Sequence, residues 1–186
     1  PLPPALHQLN AEHGLGAEVV YLTSFSKTIA PALRVGALLA PPAIRRAVVL
    51  AKQAADIHSG LLDQAVLAQL LHGAAHTAHL AALRRHYGTK GLALHEGLQA
   101  HAADLLQWPT PRGGMFIWGT LRQPARPGTD WKALFREHRL LFVPGPEFSA
   151  DGSDAGHLRL SFAHPGVERL AEGAERLARL LKQALA

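Results

Sequence analysis

The chain has 186 residues, room for one or two domains, and a net charge of +5. Its 48% hydrophobic and 18% charged residues are ordinary for a soluble globular protein. No apolar run approaches the roughly 20 residues that span a bilayer, and the lack of cysteine excludes disulfides and thiolate metal sites. The positive charge invites a nucleic-acid partner, but the basic residues are scattered. Arg45-Arg46 and Arg84-Arg85 are only pairs, in helical patterns where a solvated face is the usual explanation. Pro1-Leu2-Pro3-Pro4 lacks the charged and apolar regions of a signal peptide, so a cytoplasmic location is the default expectation.

Residues 1–17, rich in proline and glycine, read as a loop. Val19 to Phe25 reads as a buried strand, a short apolar run with β-branched and aromatic members, and Val35 to Ala40 reads as a second. Pro41-Pro42 opens a helix, proline being tolerated in a first turn. Ile44, Ala47, Val48 and Ala51 form its apolar stripe, and Asp56-Ile57-His58-Ser59-Gly60 breaks it. Leu62, Ala65, Val66, Gln69 and Leu70 continue at helical spacing up to Gly73. A long helical pattern then runs from His76 to about Leu106. Gly88, Gly91 and Gly97 each weaken it by about 1 kcal/mol relative to alanine, so a bend or break is expected near Tyr87-Gly88.

The rest alternates. Met115 to Leu121 reads as a strand, and Asp130 to His138 as a helix with Asp130 near its N-terminus. Leu140 to Val143 and His157 to Phe162 read as two further strands. Pro165 to Leu185 is an amphipathic helix with the stripe Val167, Leu170, Ala174, Leu177, Leu181 and Leu185. Glu172–Arg176 and Glu175–Arg179 are i,i+4 pairs on its polar side.

Chemistry concentrates in Ser24-Phe25-Ser26-Lys27, with Arg34 seven residues after the lysine. A lysine at a strand end suits Schiff-base chemistry with a carbonyl cofactor. Two hydroxyls and a guanidinium beside it make a phosphate site. Aldehyde and phosphate on one small ring describe pyridoxal 5'-phosphate (PLP). From the residues alone, Lys27 is equally a surface lysine after a strand, Arg34 a solvated strand-start arginine, and Ser24 and Ser26 turn hydroxyls bonding the backbone. Arg159 is either a carboxylate binder or an edge-strand arginine facing water. Leu158 and Leu160 should point to the opposite face from it. Met115, Phe116 and Trp118 read as core. His58 is expected to bond locally. His72, His76 and His79 could share a helical face, but Gly73 and the lack of a nearby carboxylate argue against a metal site.

Four segments carry a family likeness: Ser24-Phe25-Ser26-Lys27 through Arg34, Pro111-Arg112-Gly113-Gly114-Met115-Phe116-Ile117-Trp118, Val143-Pro144-Gly145-Pro146-Glu147-Phe148, and Leu158-Arg159-Leu160-Ser161-Phe162. In order and spacing they resemble the lysine segment, the P-x-G-G-M-F-x-W strand, the V-P-G-x-x-F turn and the substrate-arginine strand of the class I/II aminotransferases. Within that family the likeness leans to the 2-aminoadipate and aromatic (kynurenine-type) branch. The resemblance implies an α/β chain of PLP fold type I. Residues 1–75 would be the end of the large cofactor domain, and 76–186 the connecting helix and small domain. It implies Lys27 as the catalytic, PLP-bound lysine, Ser24, Ser26 and Arg34 on the phosphate, and Arg159 on the substrate carboxylate. It also implies amino acid and 2-oxo acid substrates and a homodimer, with no metal. Gly113-Gly114 would let backbone approach the ligand.

The family pattern further includes an aspartate paired with the pyridinium nitrogen, a stacking aromatic, an asparagine and a Gly/Ser phosphate turn, all before the lysine. None of Pro1 to Ala17 carries that motif. The expectation is therefore the C-terminal part of an aminotransferase, inactive when residues 1–186 stand alone. Its first two strands would want neighbours from elsewhere, and about 75–186 would be the self-sufficient part. An aminotransferase-like effector domain of a transcriptional regulator, or a non-catalytic remnant, fits the same residues.

Overall fold

A computed structural model describes residues 4–14 and 19–185. The chain divides into two compact units, 1–83 and 84–186.

In the first unit, Leu6–His13 forms helix α1, where the sequence reads as a loop. Gly14 in the left-handed conformation closes it, its N–H bonded to the Asn10 carbonyl. Residues 1–3 and 15–17 of that loop reading lie outside the described residues. Strand β1 (Tyr21–Ser24) pairs antiparallel with β2 (Gly36–Leu39), Ser24 opposite Gly36. A Cβ on Gly36 would stand 2.8 Å from the Thr23 carbonyl oxygen, so the pairing requires glycine there. The two strands are not buried as expected. Among the described residues they pair only with each other, and Leu22 is 71% exposed. Helix α2 (Pro42–Asp56) starts at its proline, but its apolar stripe stays largely open to solvent. In helix α3 (Leu61–Leu71) the buried residue is Leu67, which the expected stripe omits, while Leu62 is 77% exposed. This helix packs on the 3-10 turn Pro31–Leu33.

Helix α4 (Ala74–His101) begins straight after Gly73, held at φ 92°, and runs through Gly88 without the expected break. Gly91 and Gly97 serve packing instead. A Cβ on Gly91 would touch the Phe162 ring at 3.3 Å, and one on Gly97 would meet the Ala174 methyl at 2.9 Å. The cost of glycine in a helix, about 1 kcal/mol each, is offset by that close approach. The helix ends before Leu106, which lies in strand β3 (Leu106–Gln107).

The second unit builds an antiparallel sheet ordered β3-β4-β6-β5 from β3, β4 (Phe116–Leu121), β5 (Val143–Pro144) and β6 (His157–Ser161). Alternation along β4 and β6 buries Ile117, Leu121, Leu158 and Leu160. They join Leu94 and Leu98 of α4 and Leu170, Ala174, Leu177 and Leu181 of α6 (Val167–Leu185) in one core. Each fully buried leucine contributes about 1.5–3 kcal/mol. Helix α5 (Trp131–His138) is capped by the Asp130 carboxylate, which accepts from the Ala133 N–H at 3.1 Å. On α6 the Glu172–Arg176 and Glu175–Arg179 pairs both form. Of the expected strand at 140–143, only Val143 pairs, because Phe142 turns into the core.

Candidate functional site

Lys27 sits in the turn that leaves β1. Sequence chemistry shapes this turn. The Ser24 hydroxyl accepts from the Ser26 N–H at 3.2 Å, and the Ile29 N–H bonds the Phe25 carbonyl at 2.8 Å. The Phe25 N–H bonds the Val35 carbonyl at 3.2 Å, extending the ribbon by one link. Arg34 is therefore brought to the same end of the ribbon as Ser24, Ser26 and Lys27. Its backbone is left-handed (φ 53°), and its guanidinium donates to the Pro31 carbonyl at 3.3 Å. Lys27 is exposed and makes no hydrogen bond or ion pair with the described residues. Lys52, by contrast, pairs with Asp56 at 2.8 Å, and Lys90 is buried with its ammonium on the Ala163 carbonyl at 2.8 Å.

One residue at this turn escaped the sequence reading. The His79 Nε2 lies 3.0 Å from the Thr28 carbonyl oxygen, tying α4 to the residue after the lysine. Nothing in the histidine spacing signals a contact 51 positions away. His58 bonds locally, as expected, its Nδ1 being 2.9 Å from the Ser59 carbonyl oxygen. Among the described residues no cluster of three or more histidines and carboxylates has the arrangement of a metal site.

In the second unit, Arg159 is central on β6, between Trp118 of β4 and Val143 of β5. Leu158 and Leu160 point into the core, so Arg159 is aimed at the open face. No carboxylate among the described residues pairs with it. Its guanidinium carbon instead lies 4.2 Å from the Phe116 ring centre and 4.6 Å from that of Phe148. Phe116 and Trp118 are thus not core. They are 41% and 37% exposed and share the face of Arg159, because Ile117 takes the inward position between them. Glycine at 145 is required by crowding, since a Cβ there would fall 2.2 Å from the Asp154 carbonyl oxygen. Gly114 is required by its φ of 79°, while a Cβ on Gly113 would meet nothing within 4 Å. In the loop before β6, hydrogen bonds from Ser149 and then Ser153 hold the exposed Asp151 carboxyl well below the usual carboxylate range.

Residues 4–177 match the family model described as aminotransferase class I and II. The chain belongs to this family. The 2-aminoadipate transaminase of Thermus thermophilus is 38% identical over 98% of this chain and 45% of its own length. Aromatic-amino-acid aminotransferase 1 of Thermococcus litoralis is 30% identical over 89% of this chain and 39% of its own. The crystal structure of LysN, the α-aminoadipate aminotransferase of Thermus thermophilus, complexed with N-(5'-phosphopyridoxyl)-L-leucine, superposes with a TM-score of 0.84 at 37% identity. That match covers 98% of this chain and 46% of LysN. An uncharacterised helix-turn-helix regulator of Bacillus subtilis also matches, at 30% identity over 86% of this chain and 34% of its own.

This aminotransferase chain thus spans about half the length, or less, of the relatives it matches. Its α/β fold is that of the fold-type I enzymes, and the leaning to the 2-aminoadipate and aromatic branch holds. The donor set at the β1 end suits a phosphorylated aldehyde: one amine, two hydroxyls and one guanidinium on a single connection, with the amine uncommitted among the described residues.

Proposed function

We propose that this chain carries the lysine and substrate arginine of a PLP-dependent aminotransferase that moves an amino group between an L-amino acid and a 2-oxo acid. The observation behind this reading is the uncommitted Lys27 at the ribbon end that also holds Ser24, Ser26 and Arg34. Bound PLP supplies an electron sink for the charge left on the substrate Cα when its proton departs. Lys27 Nζ would hold the cofactor covalently and, once displaced by the substrate amine, would take the proton from the substrate Cα and deliver it to the cofactor's former aldehyde carbon. The Arg34 guanidinium and the Ser24 and Ser26 hydroxyls would hold the cofactor's phosphate, the guanidinium fork matching two oxygens. Arg159 pairs in bidentate fashion with the substrate carboxylate. Its donors make no hydrogen bond among the described residues.

By the same likeness, the working protein is a cytoplasmic homodimer. Residues 1–186 alone are expected to retain PLP poorly and not to transaminate, since the family's pyridinium aspartate has no counterpart here. Turnover on the order of 1 per second or more by residues 1–186 would contradict that. The main test uses the complete protein with PLP and follows amino transfer from 2-aminoadipate and phenylalanine. Transfer abolished by Lys27→Ala is the expected result; undiminished transfer in that variant would overturn the reading. The match to a helix-turn-helix regulator favours a second reading, an effector-binding domain. Amino-acid-dependent DNA binding without turnover would establish it.

A further inference from the structure

Arg159 is steadied by rings, and those rings are steadied in turn. Phe148 meets the Trp118 ring edge-to-face, with centroids 5.2 Å apart and planes at 80°. Trp118 stacks on His157, at 5.5 Å and 17°. The His157 Nδ1 lies 2.5 Å from a carboxylate oxygen of Asp154. His157 is two residues before Arg159 on β6, so both occupy the same face of the sheet. The Asp154 carbonyl is seated against Gly145, at the start of the 3-10 turn Gly145–Phe148 that carries the Phe148 ring. A continuous line of contacts therefore runs from Asp154 through His157, Trp118 and Phe148 to the Arg159 guanidinium.

The outer end of this line is not a stability device. His157 and Asp154 side chains are 34% and 30% exposed, and neither belongs to the hydrophobic core. What the line supplies is order. An arginine side chain has many rotamers to lose on binding, and two rings packed against the guanidinium reduce that loss beforehand.

We propose that His157, anchored by Asp154, is a positioning residue for Arg159, setting the affinity for the substrate carboxylate by holding Trp118 and, through it, Phe148. The proposal rests on the reading of Arg159 given above. It differs from it in naming residues that never touch the substrate.

The test uses the complete PLP-loaded protein, with KM and kcat for 2-aminoadipate and phenylalanine. It adds the equilibrium affinity for α-methylphenylalanine, which has no Cα proton to lose, together with PLP stoichiometry and melting temperature. His157→Ala is expected to raise KM and weaken α-methylphenylalanine binding about 3- to 10-fold, the factor that one aromatic pair converts to. Its kcat and PLP content should stay unchanged, and its melting temperature should fall by no more than the few degrees that the same pair energy converts to. Phenylalanine keeps a ring against Trp118, so His157→Phe should recover most of the affinity. Asparagine keeps a polar partner for Asp154 but no ring, so His157→Asn should behave as alanine does.

Arg159→Ala separates the two levels of the argument. If it weakens binding while His157→Ala does not, the positioning role is wrong and the carboxylate role stands. If Arg159→Ala leaves affinity intact, the carboxylate role itself is wrong. Equal impairment of His157→Phe and His157→Ala would overturn the route through the stack. A fall in PLP content and a larger fall in melting temperature alongside the change in KM would reduce His157 to a folding residue and overturn the proposal as well.

Discussion

The two units put their candidate residues on very different foundations. Among the described residues of 1–83, Leu67 is the one buried hydrophobic side chain, while 84–186 assembles a continuous core from three helices and the sheet. Arg159 rides on a strand whose neighbours Leu158 and Leu160 are locked in that core. Lys27 stands on a turn of a two-stranded ribbon, and such a ribbon is marginal by itself. Stability and the candidate amine therefore reside in different parts of the chain. A hydrogen bond from His79 to the turn, not burial, is what steadies the lysine segment.

The contrast can be broken at its strongest point. Phe162→Ala removes a fully buried ring and should destabilise by about 3–5 kcal/mol in denaturant unfolding. In residues 1–186, Leu62→Ala in the first unit should stay within about 0.5 kcal/mol. Comparable losses for the two would erase the distinction. Next in size is a functional split in the complete protein. Arg159→Ala should cost about 2–5 kcal/mol of amino-acid binding while PLP stays, because it removes one partner of a charge pair. Arg34→Ala should release PLP first, read by cofactor stoichiometry after dialysis.

Smaller effects sharpen the picture of α4. At Gly97 the added methyl has no room beside Ala174, so Gly97→Ala should cost about 1–3 kcal/mol despite its better helix propensity. Gly88 faces open space on the same helix, and Gly88→Ala should stabilise by about 0.5–1 kcal/mol. Thermal melts of both variants measure the pair, and equal signs would contradict the packing explanation.

Local chemistry was legible wherever one residue decides the outcome. Pro42 opens α2, Asp130 caps α5, and alternation around Arg159 turns it away from the core. The stripe of α6 was legible too, except that Val167 is exposed. Longer-range packing was not. Gly88, Gly91 and Gly97 look alike in sequence, but two of them face a ring or a methyl and one faces solvent. Strand β3 is two residues long within a helical pattern, and its pairing of Leu106 with Leu121 defines it. Burial of β1, β2 and the α2 stripe was expected from apolar content, yet burial needs a covering layer, which composition does not specify. Phe116 and Trp118 read as core because aromatic residues favour it; the alternation Phe116-Ile117-Trp118 already held the correct answer.

The assignment of Lys27 is tested most directly by trapping the cofactor where it sits. The complete protein with PLP is reduced with borohydride, digested and mapped. The account predicts the pyridoxyl label on Lys27. Lys52, paired with Asp56, and Lys90, buried on the Ala163 carbonyl, should stay unlabelled. Label on either of those lysines, with Lys27 unmodified, would contradict it.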